Sequence, residues 1–366
     1  MPGLHRRLSR HALPDATTVR RLAVLRPDGM GDIVLTTGML RELRRQLPST
    51  RITFICQTMW APWMRTCPWI DDVVEVEVTT SGNFREPKRL YEMLRFVRRT
   101  WPLDLEMLVH PGTLYEYVPS RALAWFSGAP ARLCWEDPNA AVETGTGFFT
   151  RTLQFSNSLH ETKKCFRLLE AIGLEDHGRK LDRWWTKEDG QRGDEIAYRA
   201  RSGRRKLIAL GLAASEPRKR WPRERYLEVI RDVSSQRDAA FLLLGGQDVT
   251  DTCRWLAERD PRVVSYAGDR LPLGTLWAAI ASCDLYLGND TGFMHMAAAA
   301  RVPVVVVIGV PEGAPPGTRG DPSQTGPYDT ISRVVRPPVG TPSDAEPDMA
   351  MVSPAAVTTA ALELLT

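Results

Sequence analysis

The chain has 366 residues, of which 43% are hydrophobic and 25% are charged, proportions typical of a soluble globular protein with more than one domain. A formal net charge of +4 argues against a dedicated nucleic-acid-binding protein. No apolar run is long enough to span a membrane, and the basic segment 1–10 lacks a signal-peptide core, so we expect a cytoplasmic protein.

The cysteines are scattered along the chain, without a Cys-x-x-Cys pair or a partnering histidine. We therefore expect reduced thiols, and neither a disulfide framework nor a zinc site. The positions are Cys56, Cys67, Cys134, Cys165, Cys253 and Cys283.

Basic side chains cluster in two segments of the first half, residues 41–45 and 88–99. The more common explanation of such clusters is a solvated helix face. Contact with an anionic acceptor, or peripheral contact with the inner membrane surface, is the alternative.

Strands and helices alternate through the first half of the chain. Apolar runs predict strands over residues 21–25, 51–57, 73–78 and 103–110. Helical periodicity predicts helices over residues 33–46, 90–100, 118–127 and 161–172, while residues 129–160 are expected to be irregular. Such alternation is typical of a doubly wound parallel sheet.

A strongly charged segment, 186–205, is expected to connect two domains and to contain a short helix. A second alternation follows it. Its predicted strands cover residues 206–212, 239–244, 263–265, 284–287 and 331–335, and its predicted helices cover residues 223–234, 273–281 and 354–365.

The segment 285–308 is the most informative stretch of the chain. An apolar run ends in Gly-Asn-Asp-Thr-Gly at residues 288–292, an Ala-rich helical run follows, and a β-branched strand begins after Pro303. Asn, Asp and Thr are favoured N-cap types, so a helix N-terminus is expected at the carboxyl edge of the sheet, where phosphate binds readily. His295 lies one helical turn further, on about the same side. An ordinary capped helix with a buried histidine is the alternative.

The doubled pattern predicts an α/β fold of two doubly wound Rossmann-like domains that face a central cleft, as in GT-B nucleotide-sugar glycosyltransferases. The predicted divisions are an N-terminal acceptor-side domain over 1–185, the connection 186–205, a nucleotide-sugar-binding domain over 206–352 and a closing helix over 353–366. By topology alone a periplasmic-type binding protein is the alternative, which the missing signal peptide disfavours.

Three separated motifs together resemble glycosyltransferase family 9, the bacterial lipopolysaccharide heptosyltransferases. Arg-Pro-Asp-Gly-Met-Gly-Asp at residues 26–32 is similar to the family's R/K-x-x-x-x-G-D, and Lys-Arg-Trp-Pro at 219–222 is similar to K-x-W-P. Asn-Asp-Thr-Gly-Phe-Met-His at 289–295 is similar to S-N-D-T-G-x-x-H. The resemblance covers about residues 21–310, and the three motifs have the family's order.

The resemblance implies transfer of a heptose from an ADP-sugar to an acceptor hydroxyl, with inversion at the anomeric carbon. Asp32 matches the family's catalytic base, and Lys219 matches the lysine that neutralises the departing ADP. The chain contains no Asp-x-Asp sequence, so Lys219 and helix termini are expected to replace a metal ion, and no cofactor is expected. For Asp32, an ordinary helix-capping role is the alternative.

The remaining site residues follow from the same resemblance. Gln247 or Asp248 is expected at the nucleoside ribose, and the motif leaves the choice between them open. His110 is a candidate acceptor residue, with an ordinary loop histidine as the alternative. The expected donor-binding residues are Arg26, Gly31, Ser215, Gln247, Asp248, Asn289, Asp290, Thr291, Gly292 and His295.

The acceptor side, residues 58–160, offers little to match, and the chain lacks the Cys pair that many members carry in the C-terminal loop. The lipopolysaccharide inner core is the expected acceptor, and a small-molecule glycoside of secondary metabolism is the alternative. A non-catalytic sugar-nucleotide-binding protein and an epimerase are the rival functions. Retention of both Asp32 and Lys219 disfavours the first, and the lack of a second placed carboxylate disfavours the second.

Overall fold

The computed structural model describes residues 13–77, 103–112, 118–136, 148–154, 156, 158–214, 216–315, 318, 320–339 and 349–365. By its internal contacts the chain divides into two compact units, Met1–Arg179 and Lys180–Thr366. Each unit contains its own parallel sheet. The basic segment 88–99 and the helix predicted over 90–100 lie outside the described residues.

The sheet of the first unit has the strand order β3-β2-β1-β4-β5-β6, with every described pairing parallel. The order reverses direction between β1 and β4, which makes their carboxyl ends the switch point of the sheet. The strands are β1 (Arg21–Leu25), β2 (Arg51–Gln57), β3 (Asp72–Val76), β4 (Met107–Val109), β5 (Ala131–Glu136) and β6 (Arg151–Gln154).

The helices of the first unit follow the strands. Buried apolar residues of the sheet pack on one another and on the helix after β4, as with Leu25, Leu108 and Leu123. The described helices are α1 (Met30–Gln46), α2 (Ala61–Met64), α3 (Val118–Phe126) and α4 (Glu161–Ala171).

The second unit repeats the same arrangement, with strand order β12-β11-β10-β7-β8-β9. Its switch point lies between β7 and β10. The strands are β7 (Lys206–Gly211), β8 (Ala239–Leu244), β9 (Val263–Ser265), β10 (Leu285–Asn289), β11 (Val304–Val307) and β12 (Ser332–Val335). The described helices are α5 (Lys187–Arg201), α6 (Arg223–Gln236), α7 (Thr250–Ala257), α8 (Leu273–Ala281), α9 (Gly292–Ala299), α10 (Pro322–Thr325) and α11 (Pro354–Leu364).

The predicted α/β fold of two Rossmann-like domains is confirmed by the two sheets. The prediction that residues 129–160 are irregular is wrong, because β5 and β6 lie there and extend the first sheet. Helix α7, which the sequence did not reveal, begins after the turn at Gln247–Val249. Among the described residues, no helix combines the length and the apolar character that crossing a membrane requires.

The charged segment expected to connect the domains forms α5, which lies in the second unit. Its N-terminus is a capping box, in which the Thr186 hydroxyl accepts from the Asp189 backbone N–H at 3.0 Å. Gly193 allows α5 to pack closely on α8, because a Cβ there would lie 2.5 Å from the Ala278 Cβ. Helix α5 therefore has a polar exposed face and a second face that packs on α8.

Candidate functional site

At the switch point of the first unit, a buried arginine organises two carboxylates. Arg26 directly follows β1 and is 1% exposed. Its Nη1 lies 3.0 Å from Asp28 Oδ2, and its Nη2 lies 3.4 Å from Asp32 Oδ1. The Arg26 Nε also donates to the Asp32 backbone carbonyl at 3.3 Å. The guanidinium therefore fixes both the side chain and the backbone of Asp32.

Burial alone would lower the pKa of Arg26, since it penalises the charged form. The neighbouring carboxylates of Asp28 and Asp32 outweigh burial, and the pKa of the guanidinium is raised. Arg26 stays charged and inaccessible to solvent. This burial favours a positioning role for Arg26 over the predicted direct donor contact.

Asp32 is the accessible member of this group. It occupies the first turn of α1 beside Gly31, and its side chain is 40% exposed. Its Oδ2 accepts the Gly29 N–H at 3.1 Å, so the carboxylate caps the helix as well. The capping and catalytic interpretations are compatible, because one oxygen serves the cap while the carboxylate still reaches solvent.

His110 follows β4 and is completely buried. Its Nδ1 lies 2.9 Å from the Leu25 carbonyl, which can only accept, so Nδ1 carries the proton. Burial is the main reason that the pKa of His110 falls to about 3, and nearby Arg26 and Arg121 lower it further. A neutral, buried ring favours a structural role for His110, in place of the predicted acceptor contact.

Gly112 closes the group from above β4. A Cβ at this position would lie 2.7 Å from Arg26 Nη1 and 2.9 Å from both Asp28 Oδ2 and His110 Cε1. A larger residue would therefore displace the ion pair. Sequence reasoning passed over Gly112, although its position directly after β4 at the switch point was a usable signal.

Two side chains from the end of β2 clamp the loop that leads to Asp32. The Gln57 Nε2 donates to the Pro27 carbonyl at 2.6 Å, and the Trp60 Nε1 donates to the Asp28 carbonyl at 3.1 Å. These bonds fix two carbonyl groups of the loop backbone. They were not foreseen, because nothing in the local sequence links β2 to this loop.

Helix α4 brings a further buried ion pair to the first unit. The Lys164 Nζ lies 2.6 Å from Glu161 Oε1, and Lys164 is fully buried. Glu161 and Cys165 both lie close enough to Arg26 to raise its pKa. Burial raises the pKa of the Cys165 thiol to about 11, so it stays protonated at neutral pH. Apart from the polar start of α4, no sequence pattern indicates this group.

At the switch point of the second unit, Asn289 holds the carboxyl ends of β7 and β10 together. Its side chain is fully buried and donates to the Leu212 carbonyl at 2.8 Å. Its Oδ1 accepts from the Trp221 backbone N–H at 3.2 Å and from the Tyr226 hydroxyl at 3.0 Å. Because both ends of the amide are engaged, Asn289 braces the site instead of facing a ligand.

The next residues form the N-terminus of α9. Thr291 occupies the N-cap position, yet its side chain makes no capping hydrogen bond to the helix. The first N–H groups of α9 therefore remain available at this edge, together with the partly exposed Asp290 and Gly292. His295 is 4% exposed, and its Nε2 lies 3.9 Å from Asp290 Oδ1. The structure thus brings together Asp290, Thr291, Gly292 and His295 as predicted.

Lys219 ends a short 3₁₀ turn, Pro217–Lys219, that follows the β7 loop. Its Nζ lies 3.5 Å from Glu216 Oε1, and its side chain is 25% exposed. Glu216 also pairs with Arg218, whose Nε lies 2.7 Å from Glu216 Oε2. The predicted cation is therefore accessible and loosely tethered. Ser215, the predicted neighbour, lies outside the described residues.

The two candidates for the nucleoside, Gln247 and Asp248, have different neighbours in the structure. Asp248 is paired with Arg220, whose Nη2 lies 2.6 Å from Asp248 Oδ2. Gln247 is exposed and lines a cavity of about 610 Å³ at the carboxyl ends of β8 and β9. The volume suits a small organic ligand. The cavity lining comprises Gln247, Thr250, Arg254, Ala257, Ser265, Ala267, Gly268 and Asp269.

A family model described as "Glycosyltransferase family 9 (heptosyltransferase)" matches residues 113–335. The chain belongs to glycosyltransferase family 9. This family 9 chain is 22% identical over 317 residues to lipooligosaccharide heptosyltransferase 2 of Haemophilus influenzae, covering 81% of this chain and 85% of that protein. It is a glycosyltransferase by that membership.

Solved structures show the same fold. A glycosyltransferase of family 9 from Veillonella parvula superposes with a TM-score of 0.73 at 22% identity, covering 94% of this chain and 97% of that one. An Escherichia coli heptosyltransferase with ADP-2-deoxy-2-fluoro heptose superposes with a TM-score of 0.68 at 16% identity, covering 94% and 99%. The family 9 chain therefore has the GT-B fold over nearly its whole length.

Proposed function

We propose that this glycosyltransferase moves a heptose from an ADP-heptose donor to an acceptor hydroxyl, with inversion and without a metal ion. The observation that carries the proposal is the accessible carboxylate of Asp32, held in place by the buried Arg26. A binding protein has no need of a base in that position. The heptosyl donor is supported by the relatives, one of which was solved with an ADP-heptose analogue.

The second unit supplies the donor chemistry in this proposal. The uncapped N-terminus of α9 offers backbone N–H groups and a positive dipole end to the diphosphate. Lys219 adds a partly exposed cation, which neutralises charge as the ADP leaves. The cavity beside Gln247 takes the nucleoside.

The first unit supplies the base. Asp32 accepts the proton of the acceptor hydroxyl while the acceptor oxygen attacks the anomeric carbon. One bond forms between the acceptor oxygen and that carbon, and the bond from the carbon to the phosphate oxygen breaks. The electron pair leaves with ADP, and a single displacement inverts the configuration. Among the candidate acceptors we favour the lipopolysaccharide inner core, because the relatives are lipopolysaccharide or lipooligosaccharide enzymes.

The test combines calorimetric titration with ADP, UDP and GDP, with and without EDTA, and a turnover assay that follows ADP release from ADP-heptose. We expect selective binding of ADP, turnover with an inner-core acceptor and no loss of either with EDTA. Preference for UDP or GDP would remove the heptosyl donor. A strict metal requirement would remove the role given to Lys219, and turnover with small glycosides alone would redirect the acceptor.

A further inference from the structure

Tyr286 is a buried tyrosine whose hydroxyl lies under the turn that precedes α9. It is 1% exposed and belongs to β10. The ring crosses the neighbouring strand at Gly211, where a Cβ would lie 1.7 Å from the Tyr286 hydroxyl oxygen. Gly288 faces Gly211 in the strand pairing, and a Cβ at Gly288 would lie 2.3 Å from the Gly211 carbonyl oxygen. Gly211 thus leaves the space that the phenol occupies, and Gly288 allows the close approach of β10 to β7.

The Tyr286 hydroxyl has two neighbours at its tip. The Thr291 Oγ1 lies 3.2 Å away, and the Asn289 carbonyl oxygen lies 3.5 Å away. The shorter contact is the better hydrogen bond, although both are longer than the usual O–H···O distance. Burial raises the pKa of Tyr286 well above its ordinary value, so the phenol keeps its proton and remains a donor.

Thr291 is the residue through which this hydroxyl reaches the surface. Its side chain occupies the N-cap position of α9 without capping the helix, and it meets Tyr286 instead. A threonine hydroxyl has one proton and two lone pairs. If Tyr286 donates into one lone pair, the Thr291 proton is left for another acceptor.

We propose that Tyr286 is a positioning residue, whose hydroxyl donates to Thr291 Oγ1 and thereby directs the Thr291 proton onto an oxygen of the donor diphosphate. This inference rests on the proposed function of the same edge as the diphosphate site. It adds a specific, buried residue to the three motifs that identify the family. It also explains why Thr291 leaves α9 uncapped and why position 211 has no side chain.

A double-mutant cycle tests the proposal, with ADP and inorganic pyrophosphate as the titrated probes. The variants are Tyr286→Phe, Thr291→Val and the double variant, with Thr291→Ser to keep the hydroxyl. Tyr286→Phe is expected to weaken both probes by about three- to tenfold, the loss of one hydrogen bond. In the Thr291→Val background the same change is expected to have no further effect, since the residue acts through Thr291. In the Thr291→Ser background, Tyr286→Phe is expected to weaken both probes as it does in the unaltered protein.

The controls separate this inference from packing and from the proposed function. Tyr198→Phe, at an exposed tyrosine of α5, controls for loss of a phenol elsewhere, and thermal unfolding monitors the fold of each variant. Equal losses with and without the Thr291 hydroxyl would show that Tyr286 acts by packing and would overturn the inference. Unchanged affinity in Tyr286→Phe, in a protein that binds ADP, overturns this inference alone. Binding of neither probe to the unaltered protein overturns the inference together with the proposed function.

Discussion

The two switch points have the same topology and opposite chemistry. In the first unit, the supporting groups are charged: Arg26 pairs with Asp28 and Asp32, and Lys164 pairs with Glu161. In the second unit, the supporting groups are neutral. Asn289 and Tyr226 join the strands by hydrogen bonds, and Tyr286 fills the space over Gly211.

This difference matches what each edge is proposed to hold. A base needs a carboxylate that stays in place, and the buried Arg26 holds Asp32 through an ion pair and a backbone hydrogen bond. A diphosphate brings its own negative charge, so a neutral frame that leaves N–H groups and one lysine accessible is the better host. In this proposal the same fold serves an acceptor in one unit and a donor in the other, with different groups supporting each edge.

The largest effect is expected from Asp32→Asn, which removes the base and keeps the shape. We expect the turnover number to fall by about 10²- to 10⁴-fold, the range of general-base catalysis. The measurement is steady-state ADP release at saturating donor and acceptor. Asp104→Asn, at a side chain that is 78% exposed, is the matched control and should retain activity. Near-normal turnover in Asp32→Asn would assign the base elsewhere.

Lys219→Met tests the donor edge. The variant keeps the length of the side chain and removes the charge that stabilises the leaving ADP. We expect the turnover number to fall by about 10²- to 10³-fold, as for loss of one transition-state contact. Lys187→Met, at the exposed start of α5, controls for loss of a lysine charge. If added Mg²⁺ were to restore Lys219→Met fully, a metal site would be the better account.

Gly211→Ala tests the space behind the donor edge. The new Cβ would overlap the Tyr286 ring, and such overpacking typically costs about 1–3 kcal/mol of the free energy of unfolding. Denaturant unfolding measures the loss. All three nearest atoms belong to Tyr286, so in a Tyr286→Ala background the same change should cost much less. An equal cost in both backgrounds would locate the strain elsewhere.

The last prediction concerns the pH dependence of stability that the buried His110 contributes. His110 has a pKa of about 3 in the folded protein and an ordinary value of 6.5 when unfolded, so protons favour the unfolded state between these values. The stabilisation is complete above pH 6.5 and is lost as the pH falls, by about 1.4 kcal/mol per pH unit. Urea unfolding at several pH values should show a shallower acid dependence in His110→Gln than in the unaltered protein. Equal slopes would contradict the buried, neutral ring.

The sequence predicted the fold and the polar edge of the second unit well, because both rest on local patterns. Strands 21–25, 51–57 and 239–244 have the predicted limits. Strand β5 was missed since Arg132 interrupts its apolar run and Glu136 ends it, and pairing with β4 and β6 makes it a strand. The pairing of Asp248 with Arg220 likewise joins residues that no local pattern links.

The supporting groups lay beyond sequence reasoning for the same reason. The clamp by Gln57 and Trp60, the pair Glu161–Lys164 and the fit of Tyr286 over Gly211 all join residues that are distant in the chain. A motif identifies residues at an edge, whereas these contacts decide which of them face a ligand. Arg26 and Asn289 are examples, because both belong to matched motifs and yet are buried and bonded to neighbouring groups.

The central claim is that the two edges divide the reaction, with the base in one unit and the donor site in the other. The most direct test measures both the ADP affinity, by calorimetry, and the turnover number of Asp32→Asn and of Thr291→Val. We predict that Asp32→Asn keeps ADP affinity within a few-fold of the unaltered protein while turnover collapses, and that Thr291→Val weakens ADP binding. Loss of ADP affinity in Asp32→Asn as large as its loss of turnover would contradict the division.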